Sequence, residues 1–299
     1  MQVSILICTK NRRSDLELTL NKIGYLIDNI SVECVVFDDG SFDGTYKFVA
    51  ENYPKIIIKR NKISKGLIYC RNEMLNSTQA DYAISLDDDA HFITEYPFES
   101  ICNYFESNSK CGLIALRVFW GLSNPISIVS NENPEQVQGF VGCGHVWRMT
   151  AWKSIPNYPA WFIFYGEENF ASFHLFKKKW EVHYLQEVLV HHRVSLKSRK
   201  NNSDYTIRLR RSLRAGWFLY FLFDPICLIP KKMTYSLWIQ LKLKVFKGDF
   251  KAMFAIVLAL FDLVWHMPLL LKNRDSLSIK EYNNFQELKA TKIYWNPKP

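Results

Sequence analysis

The sequence predicts an α/β fold in which a doubly wound, mostly parallel sheet is followed by a helical carboxy-terminal tail. Over roughly the first ninety residues, short apolar runs alternate with stretches of helical period, and polar clusters follow the apolar runs. After position 195 the composition becomes basic and then apolar. Strands that alternate with helices are joined by right-handed crossovers into a parallel sheet. We therefore expect one α/β domain over residues 1–195 and a helical region over residues 196–299.

The elements of the first half follow from this alternation. The predicted strands are residues 3–8, 32–37, 56–59 and 82–86, and the predicted helices are residues 13–27, 43–52 and 65–76. Between residues 112 and 192 the pattern is less regular, with one further helix predicted over residues 167–179. The sheet should therefore consist of a regular half and a more variable half.

The composition indicates a folded protein with anionic partners. A hydrophobic share of 48% and a charged share of 22% exclude disordered and fibrous classes. The net charge of +9 favours nucleotides, anionic lipids or nucleic acid as partners. The seven cysteines occur singly, without a C-x-x-C pair, which is typical of a reducing, cytosolic compartment. The amino terminus has the pattern of a strand, so we expect no signal peptide.

Three polar clusters mark the ends of predicted strands. They are Thr9–Lys10–Asn11–Arg12, Asp38–Asp39–Gly40–Ser41 and Asp87–Asp88–Asp89. In open α/β sheets, ligands bind beyond the carboxyl ends of the strands. The clusters therefore predict a ligand site at this edge of the sheet.

The acidic run is a candidate metal site. Three adjacent carboxylates repel one another unless a cation or hydrogen-bond donors neutralise them. In extended geometry Asp87 and Asp89 point the same way, so the pair could hold Mg²⁺ or Mn²⁺ through oxygen ligands. A solvated acidic turn or helix cap is the alternative.

Other side chains at this edge could bind a nucleotide. Asp38 and Asp39 follow an apolar strand and could accept a hydrogen bond from a ribose hydroxyl, although ordinary turn chemistry explains them equally well. Arg71 lies on the helix opened by Lys65 and Gly66, and could pair with a phosphate or remain solvated.

Taken in order, the segments VSILICTKNR, VVFDDGSFDGT, KGLIYCRN and SLDDDA resemble the successive motifs of family 2 inverting glycosyltransferases, which have a GT-A fold. The resemblance implies that Thr9, Asp39 and Arg71 contact the nucleotide. It also implies that Asp87 and Asp89 form the D-x-D motif that holds Mn²⁺ or Mg²⁺, with Asp88 as an alternative ligand. The full set predicted to bind the nucleotide sugar is Thr9, Asn11, Arg12, Asp38, Asp39, Lys65, Gly66, Arg71, Asp87 and Asp88.

The segment FYGEENF is similar to the family segment that supplies the catalytic base. The resemblance makes Glu167 and Glu168 the catalytic candidates and favours Glu168, which stands where the family more often has aspartate. An inverting transfer needs one carboxylate to take the proton of the acceptor hydroxyl, and a metal can neutralise the departing diphosphate. Helix N-terminal acids stabilised by the helix dipole are the structural alternative.

Two adjacent histidines end the segment VLVHH. The family frequently has a histidine here that completes the metal shell, so either His191 or His192 is a predicted ligand. Packing or surface histidines are the alternative. We interpret His145, which follows Gly142–Cys143–Gly144, as a structural histidine.

The tail predicts peripheral membrane contact. Arg208, Arg210, Arg211 and Arg214 precede an aromatic run, which suits an anionic membrane interface. Residues 253–271 are nearly all apolar and approach the ~20 residues of a membrane span, but they include Asp262, His266 and Pro268. We therefore expect an interfacial or packed helix, with a helical layer covering the sheet as the alternative. No nucleic-acid-binding motif accompanies the arginines, so we expect no nucleic acid partner.

These expectations combine into one function. The protein should transfer a sugar from a nucleoside diphosphate donor, a UDP-sugar first of all, to a hydroxyl of a glycan or lipid-linked acceptor. It should work in polysaccharide or glycolipid synthesis at the cytoplasmic face of the cell membrane. A sugar nucleotidyltransferase is the enzymatic alternative, but its usual glycine-rich amino-terminal loop is missing. A catalytically silent nucleotide-binding subunit is the non-enzymatic alternative.

Overall fold

The computed structural model describes residues 2–29, 31–194 and 204–297. Its first half is a parallel sheet with helical crossovers, as predicted. The elements are β1 (Val3–Thr9), α1 (Arg13–Ile27), β2 (Val32–Asp38), α2 (Thr45–Asn52), β3 (Ile57–Arg60), α3 (Leu67–Ser77) and β4 (Tyr82–Asp87). The strands lie in the order β3-β2-β1-β4, and all three pairs are parallel. This places the carboxyl ends of β1, β2 and β4 at one edge.

The second half continues the same sheet with mixed strand directions. Its elements are β5 (Ala90–Phe92), α4 (Pro97–Ser107), β6 (Cys111–Trp120), β7 (Glu135–Gln136), β8 (Gly144–Arg148), α5 (Met149–Trp152), α6 (Glu167–Lys177) and β9 (Glu181–His192). The order continues as β4-β8-β6-β9-β5, with β7 paired to β9. Strand β8 is antiparallel to both β4 and β6, whereas β9 is parallel to β6.

Buried residues cover both faces of the sheet. Along β1, Ile5 and Ile7 pack in the hydrophobic cluster that contains α1, whereas Leu6 packs in the cluster that contains α3. Successive side chains of a strand point to opposite faces, so this alternation is expected for a sheet with helices on both sides. The doubly wound α/β fold predicted from the sequence is therefore confirmed.

The third helix begins two residues later than predicted, and the reason concerns the site. The backbone N–H groups of Lys65 and Gly66 donate to the carboxylate of Asp39, at 2.8 and 2.9 Å. Gly66 has a φ of +97°, which a helix does not allow. These two residues therefore form a loop bound to the end of β2.

The tail consists of helices that join the same core. They are α7 (Tyr205–Phe223), α8 (Ile229–Leu243), α9 (Phe250–Lys272) and α10 (Ile279–Glu287). Trp217, Phe218 and Phe223 on α7 share a hydrophobic cluster with Phe162 and Phe170. The expected domain boundary at residue 195 adjoins residues 195–203, which lie outside the described residues. The helices beyond it pack against the α/β part.

Two of the tail arginines, which the sequence placed at a basic membrane-facing surface, pair with an aspartate of α9 in the structure. Arg210 pairs with Asp262 on α9 through two contacts of 2.7 and 2.6 Å. Arg214 is buried, donates to the carbonyl oxygen of Phe162 and lies 3.8 Å from Asp262. Both guanidinium groups are directed to α9 because Asp262, one of the few polar residues of α9, faces α7.

Candidate active site

A cavity of about 860 Å³ opens at the carboxyl edge of β1, β2 and β4. Its walls come from these strand ends, from three loops and from the first turns of α7. The predicted site residues in its wall are Thr9, Arg12, Asp39, Lys65, Gly66, Arg71, Asp87, Asp88, Asp89, Glu167, Glu168 and His192. Residues that are distant in the sequence therefore meet in one cavity, where the sheet topology predicts a ligand site.

Asp39 fixes a loop of the cavity wall next to the end of β2. Besides the two backbone groups of Lys65 and Gly66, its carboxylate accepts from Asn61 Nδ2 at 2.7 Å and Ser64 Oγ at 2.6 Å. Burial alone would raise the pKa of Asp39, but these hydrogen bonds lower it below its ordinary value. The ionised carboxylate therefore holds the loop from Asn61 to Gly66 against the end of β2.

Asp38 and Asn11 do not line the cavity. Asp38 accepts from the backbone of Ser41 at 2.8 Å and lies 3.3 Å from Arg60 Nε. Asn11, with a φ of +53°, accepts from the backbone of Phe42 at 2.9 Å. Their side chains hold the turn after β2 instead of facing the space that a ligand would fill.

Asp88 is saturated by protein contacts. Arg12 Nη1 lies 2.7 Å from one oxygen, and Thr9 Oγ1 donates to the other at 2.8 Å. The carboxyl is 4% exposed, and burial raises the pKa of Asp88 to about 7 although the charge of Arg12 opposes this. Asp88 therefore connects β4 to the loop after β1, and of the three aspartates Asp87 is the most exposed.

His192 is brought to the acidic run by strand pairing. Strand β5 follows Asp89 directly and pairs with the end of β9, with Ala90 opposite His192. His192 Nε2 lies 2.9 Å from Asp89 Oδ1 and 3.8 Å from Asp87 Oδ2. Burial disfavours the charged ring, but Cys143 and the carboxylates raise the pKa of His192 to about 10. The cationic ring of His192 therefore neutralises the carboxylates of Asp87 and Asp89.

Asp87, His192 and Cys143 form the candidate metal centre. One ligand atom from each lies within 4.8 Å of the others. Carboxylate and imidazole are common ligands of divalent metals, and a thiol adds a softer one. The carboxylates around His192 favour a positive charge at this position. A divalent cation therefore fits the donor set.

His191 points the other way along β9. Its Nε2 lies 2.8 Å from the carbonyl oxygen of Gly121, and its ring packs between those of His91 and Phe119. Since adjacent side chains alternate across a strand, only one of the two histidines can face the acidic run. His191 does not line the cavity, and His192 does.

Arg71 connects the metal side of the cavity to the glutamates. Its guanidinium donates to Asp87 Oδ1 at 2.9 Å, to Glu167 Oε1 at 3.1 Å and to the carbonyl oxygen of Gly142 at 2.8 Å. Burial raises the pKa of both Glu167 and Glu168, and for Glu167 the charge of Glu168 adds to this against Arg71. Glu167 is thus held by an arginine, whereas Glu168 is half-buried in the cavity wall.

His145 lies below this cavity in the core. Its ring is fully buried beside Phe140, and its Nε2 is 3.4 Å from the hydroxyl of Tyr158. It does not line the cavity. This arrangement agrees with its interpretation as a structural histidine.

Sequence reasoning missed Cys143, Trp120, Arg208 and Arg211, which all line the cavity. In the sequence Cys143 is one of seven single cysteines, and nothing in its neighbourhood indicates a place in a site. The spacing of the tail arginines carried a usable signal, because residues three or four apart share one face of a helix. Arg208 and Arg211 form one such pair, and Arg210 and Arg214 form the other.

The family comparison agrees with these observations. The sequence model of glycosyl transferase family 2 matches residues 4–132. No curated protein sequence matches the chain.

Solved structures share the fold at low sequence identity. GalNAc-T7, crystallised with UDP, GalNAc and Mn²⁺, is 14% identical with a TM-score of 0.59, over 75% of this chain and 48% of that one. Mannosyltransferase PcManGT from Pyrobaculum calidifontis, in complex with GDP-Man and Mn²⁺, is 14% identical with a TM-score of 0.57, over 95% and 78%. S. aureus TarS is 15% identical with a TM-score of 0.54, over 73% and 40%. The chain thus spans about half the length of GalNAc-T7.

The strand order, the acidic run at the end of β4 and the match over residues 4–132 point to the same family. Likeness at these identities establishes the fold, and the family model applies to residues 4–132. Residues 4–132 therefore carry a glycosyl transferase family 2 domain, and the chain has a GT-A fold.

Proposed function

We propose that this protein is a metal-dependent, inverting glycosyltransferase that uses a nucleoside diphosphate sugar. The observation that carries the proposal is the single cavity that contains both the acidic run with His192 and the pair Glu167–Glu168. An inverting transfer needs one charge-neutralising centre and one base, and the two lie on either side of Arg71.

The donor is a nucleoside diphosphate sugar, with a UDP-sugar as the first candidate. Structures with the same fold were solved with UDP, GDP-Man and UDP-GlcNAc. In this chain Thr9, Arg12, Asp39 and Lys65 line the part of the cavity nearest to β1 and β2. Their hydroxyl, guanidinium, carboxylate and ammonium groups suit a nucleotide.

Asp87 and His192 of the candidate metal centre, together with Asp89 beside His192, would hold Mn²⁺ or Mg²⁺, with Asp88 behind them as a buried support. The metal would supply positive charge to the departing diphosphate in place of a general acid. Cys143 would add a thiol to this donor set, which favours Mn²⁺ or a softer ion over Mg²⁺.

Glu168 serves as the base. It takes the proton of the acceptor hydroxyl while that oxygen bonds to the anomeric carbon and the bond to the diphosphate oxygen breaks on the opposite face. Glu167 is a positioning residue, since its contact with Arg71 fixes the start of α6 relative to Asp87. Burial raises the pKa of Glu168, which makes its carboxylate a stronger base, and the charge of Arg71 opposes this rise.

The acceptor is a glycan or a lipid-linked glycan at the cytoplasmic face of a membrane. Helix α9 is long and apolar enough to span a bilayer, although a third of its most apolar window is buried against the protein. Its open face is apolar, with Phe250 73% exposed and Trp265 83% exposed. Lys247 and Lys251 flank that face. An apolar face with lysines suits peripheral contact with anionic lipid.

Slow transfer to water tests the proposal without knowledge of the acceptor. The purified protein is incubated with α-linked UDP- and GDP-sugars, with Mn²⁺ or with EDTA. We expect nucleoside diphosphate release from one donor only with Mn²⁺, and a β-configured free sugar by NMR. Release of an α-configured sugar contradicts inversion.

Release of inorganic diphosphate from UTP and a sugar 1-phosphate supports the nucleotidyltransferase instead. Nucleotide binding without any release supports a silent subunit.

A further inference from the structure

Two arginines of the tail line the active-site cavity. Arg208 and Arg211 lie three residues apart on one face of the first turns of α7. Arg208 Nε is 2.7 Å from Asp204 Oδ2 on the preceding turn. Arg211 is half-buried and forms no ion pair with any residue that the structure describes. Asp204, Arg208 and Arg211 together carry a net charge of +1 at the wall of the cavity.

The other guanidinium groups of the cavity are already occupied. Arg12 contacts Asp88 and Asp89, and Arg71 contacts Asp87 and Glu167. An anion that binds beside a half-buried arginine stabilises it when, as for Arg211, the described residues offer no ion-pair partner. The planar fork of a guanidinium matches the oxygens of a phosphate.

The packing of α7 places Arg208 and Arg211 on the side of the cavity where Glu167 and Glu168 lie. Arg214, one turn further along, donates to the carbonyl oxygen of Phe162. A Cβ added at Gly166, the residue before Glu167, would lie 3.1 Å from Cβ of Ala215. The middle of α7 therefore adjoins the segment that presents the base, and Arg208 and Arg211 line the same cavity from the turns before it. An acceptor hydroxyl must arrive at this base. The same helix packs along α9, whose outer face is apolar.

We propose that Arg208 and Arg211 bind a phosphate group of the acceptor. The acceptor class is then a phosphorylated or diphosphate-linked glycan, whose phosphate lies within the cavity beside the hydroxyl that receives the sugar. The inference rests on the proposed function and narrows its substrate. The donor diphosphate is the other source of the same chemistry, so the test has to separate the two.

Calorimetric titration of four purified proteins separates these sources: the wild type, Arg211→Gln, Arg211→Lys and the control Lys280→Gln. Lys280 is an exposed cation on α10 and does not line the cavity. One arm titrates UDP and GDP in the presence of Mn²⁺. The other arm titrates glycerol 1-phosphate into the protein with the nucleotide and Mn²⁺ present, with glycerol as the uncharged probe.

We expect glycerol 1-phosphate, and not glycerol, to bind the wild type and Lys280→Gln. Its Kd should rise on the order of tenfold in Arg211→Gln and recover in part in Arg211→Lys, which retains the charge. Nucleotide binding should be equal in all four proteins.

Three outcomes overturn the proposal. They are no binding of glycerol 1-phosphate to the wild type, equal binding to the wild type and Arg211→Gln, or loss of nucleotide binding in Arg211→Gln. The last outcome would assign the arginines to the donor diphosphate. Absence of nucleotide binding in the wild type contradicts the proposed function itself, while the phosphate arm still reports on the arginines.

Discussion

Arg71 is the residue on which the geometry of the site depends most. One buried guanidinium contacts the end of β4, the start of α6 and the carbonyl oxygen of Gly142. The resemblance to family 2 predicts a nucleotide contact for Arg71, and a single helical arginine gives no sign of its protein partners in the sequence. Sequence motifs therefore located the important side chain, but only the fold shows that three segments bind it. The roles of the glutamates follow from which of them Arg71 holds.

The two glutamates should respond differently to loss of charge. Glu168→Gln removes the proposed base, so we expect sugar transfer to fall by about 10²–10⁴-fold while nucleotide affinity is unchanged. Glu167→Gln keeps Glu168 and weakens only the contact with Arg71, so the loss should be smaller. Single-turnover transfer assays on both variants check this. An equal or larger loss in Glu167→Gln would identify Glu167 as the base.

A side chain at Gly142 should displace the ends of Glu168 and Arg71. A Cβ there would lie 2.6 Å from Glu168 Oε1 and 2.9 Å from Arg71 Nη1. We expect Gly142→Ala to displace the base and to reduce transfer at least on the order of tenfold, because small misplacements of catalytic groups are costly. Gly24→Ala on α1 is the matched control, since nothing lies within 4 Å of its added Cβ. Full transfer activity in Gly142→Ala would mean that Glu168 need not occupy its present position.

At the scale of elements, strand pairing explains the position of His192, which the apolar periodicity of the sequence does not indicate. The strands and helices of the first half were predictable because their apolar periods are clear and their polar ends share one edge. The pairing of β5 with β9 joins segments about a hundred residues apart, and no local pattern specifies it. That pairing decides that His192 and not His191 faces the aspartates. Similarly, the four tail arginines were predicted as one basic surface, whereas their helical spacing divides them between Asp262 and the cavity.

The contact between α7 and α9 should contribute strongly to stability. Asp262 is 8% exposed and pairs with Arg210 and Arg214. Its removal leaves Arg214 buried without a counter-ion, so we expect Asp262→Asn to lower the free energy of unfolding by about 2–3 kcal/mol. Urea denaturation measures this. Asp28→Asn, which breaks the exposed pair with Lys55, should change stability little. Equal effects of the two substitutions would contradict the structural role of Asp262.

At the scale of the whole molecule, the α/β part and the tail form one packed unit with two unlike surfaces. The cavity opens at the carboxyl edge of the sheet, and α9 exposes an apolar face. Composition alone predicted an apolar tail. It could not tell which residues of α9 pack inward, because Asp262, His266 and Pro268 interrupt the apolar run without indicating their direction. In the structure Asp262 faces α7, and His266 stacks on Trp161, so the outer face stays apolar.

The outer face of α9 should bind membranes. Phe254, Phe261 and Trp265 are exposed, so replacing all three by serine should leave the fold intact and remove most of the buried apolar area in the bilayer. We expect sedimentation with vesicles of phosphatidylcholine and phosphatidylserine to fall at least on the order of tenfold. Phe42→Ser, at an equally exposed residue of the first half, is the control. Unchanged sedimentation of the triple variant would mean that α9 does not contact lipid.

Thermal stabilisation by nucleotides tests the central claim most directly. The melting temperature is measured for the wild type and His192→Ala with UDP, GDP, dTDP and CMP, each with Mn²⁺ or EDTA. A ligand that binds only the folded protein raises this temperature. We predict that one nucleoside diphosphate stabilises the wild type by several degrees only with Mn²⁺, and that His192→Ala loses the Mn²⁺-dependent part. Stabilisation that depends on neither Mn²⁺ nor His192, or no stabilisation by any nucleotide, would contradict a metal-dependent glycosyltransferase site in this cavity.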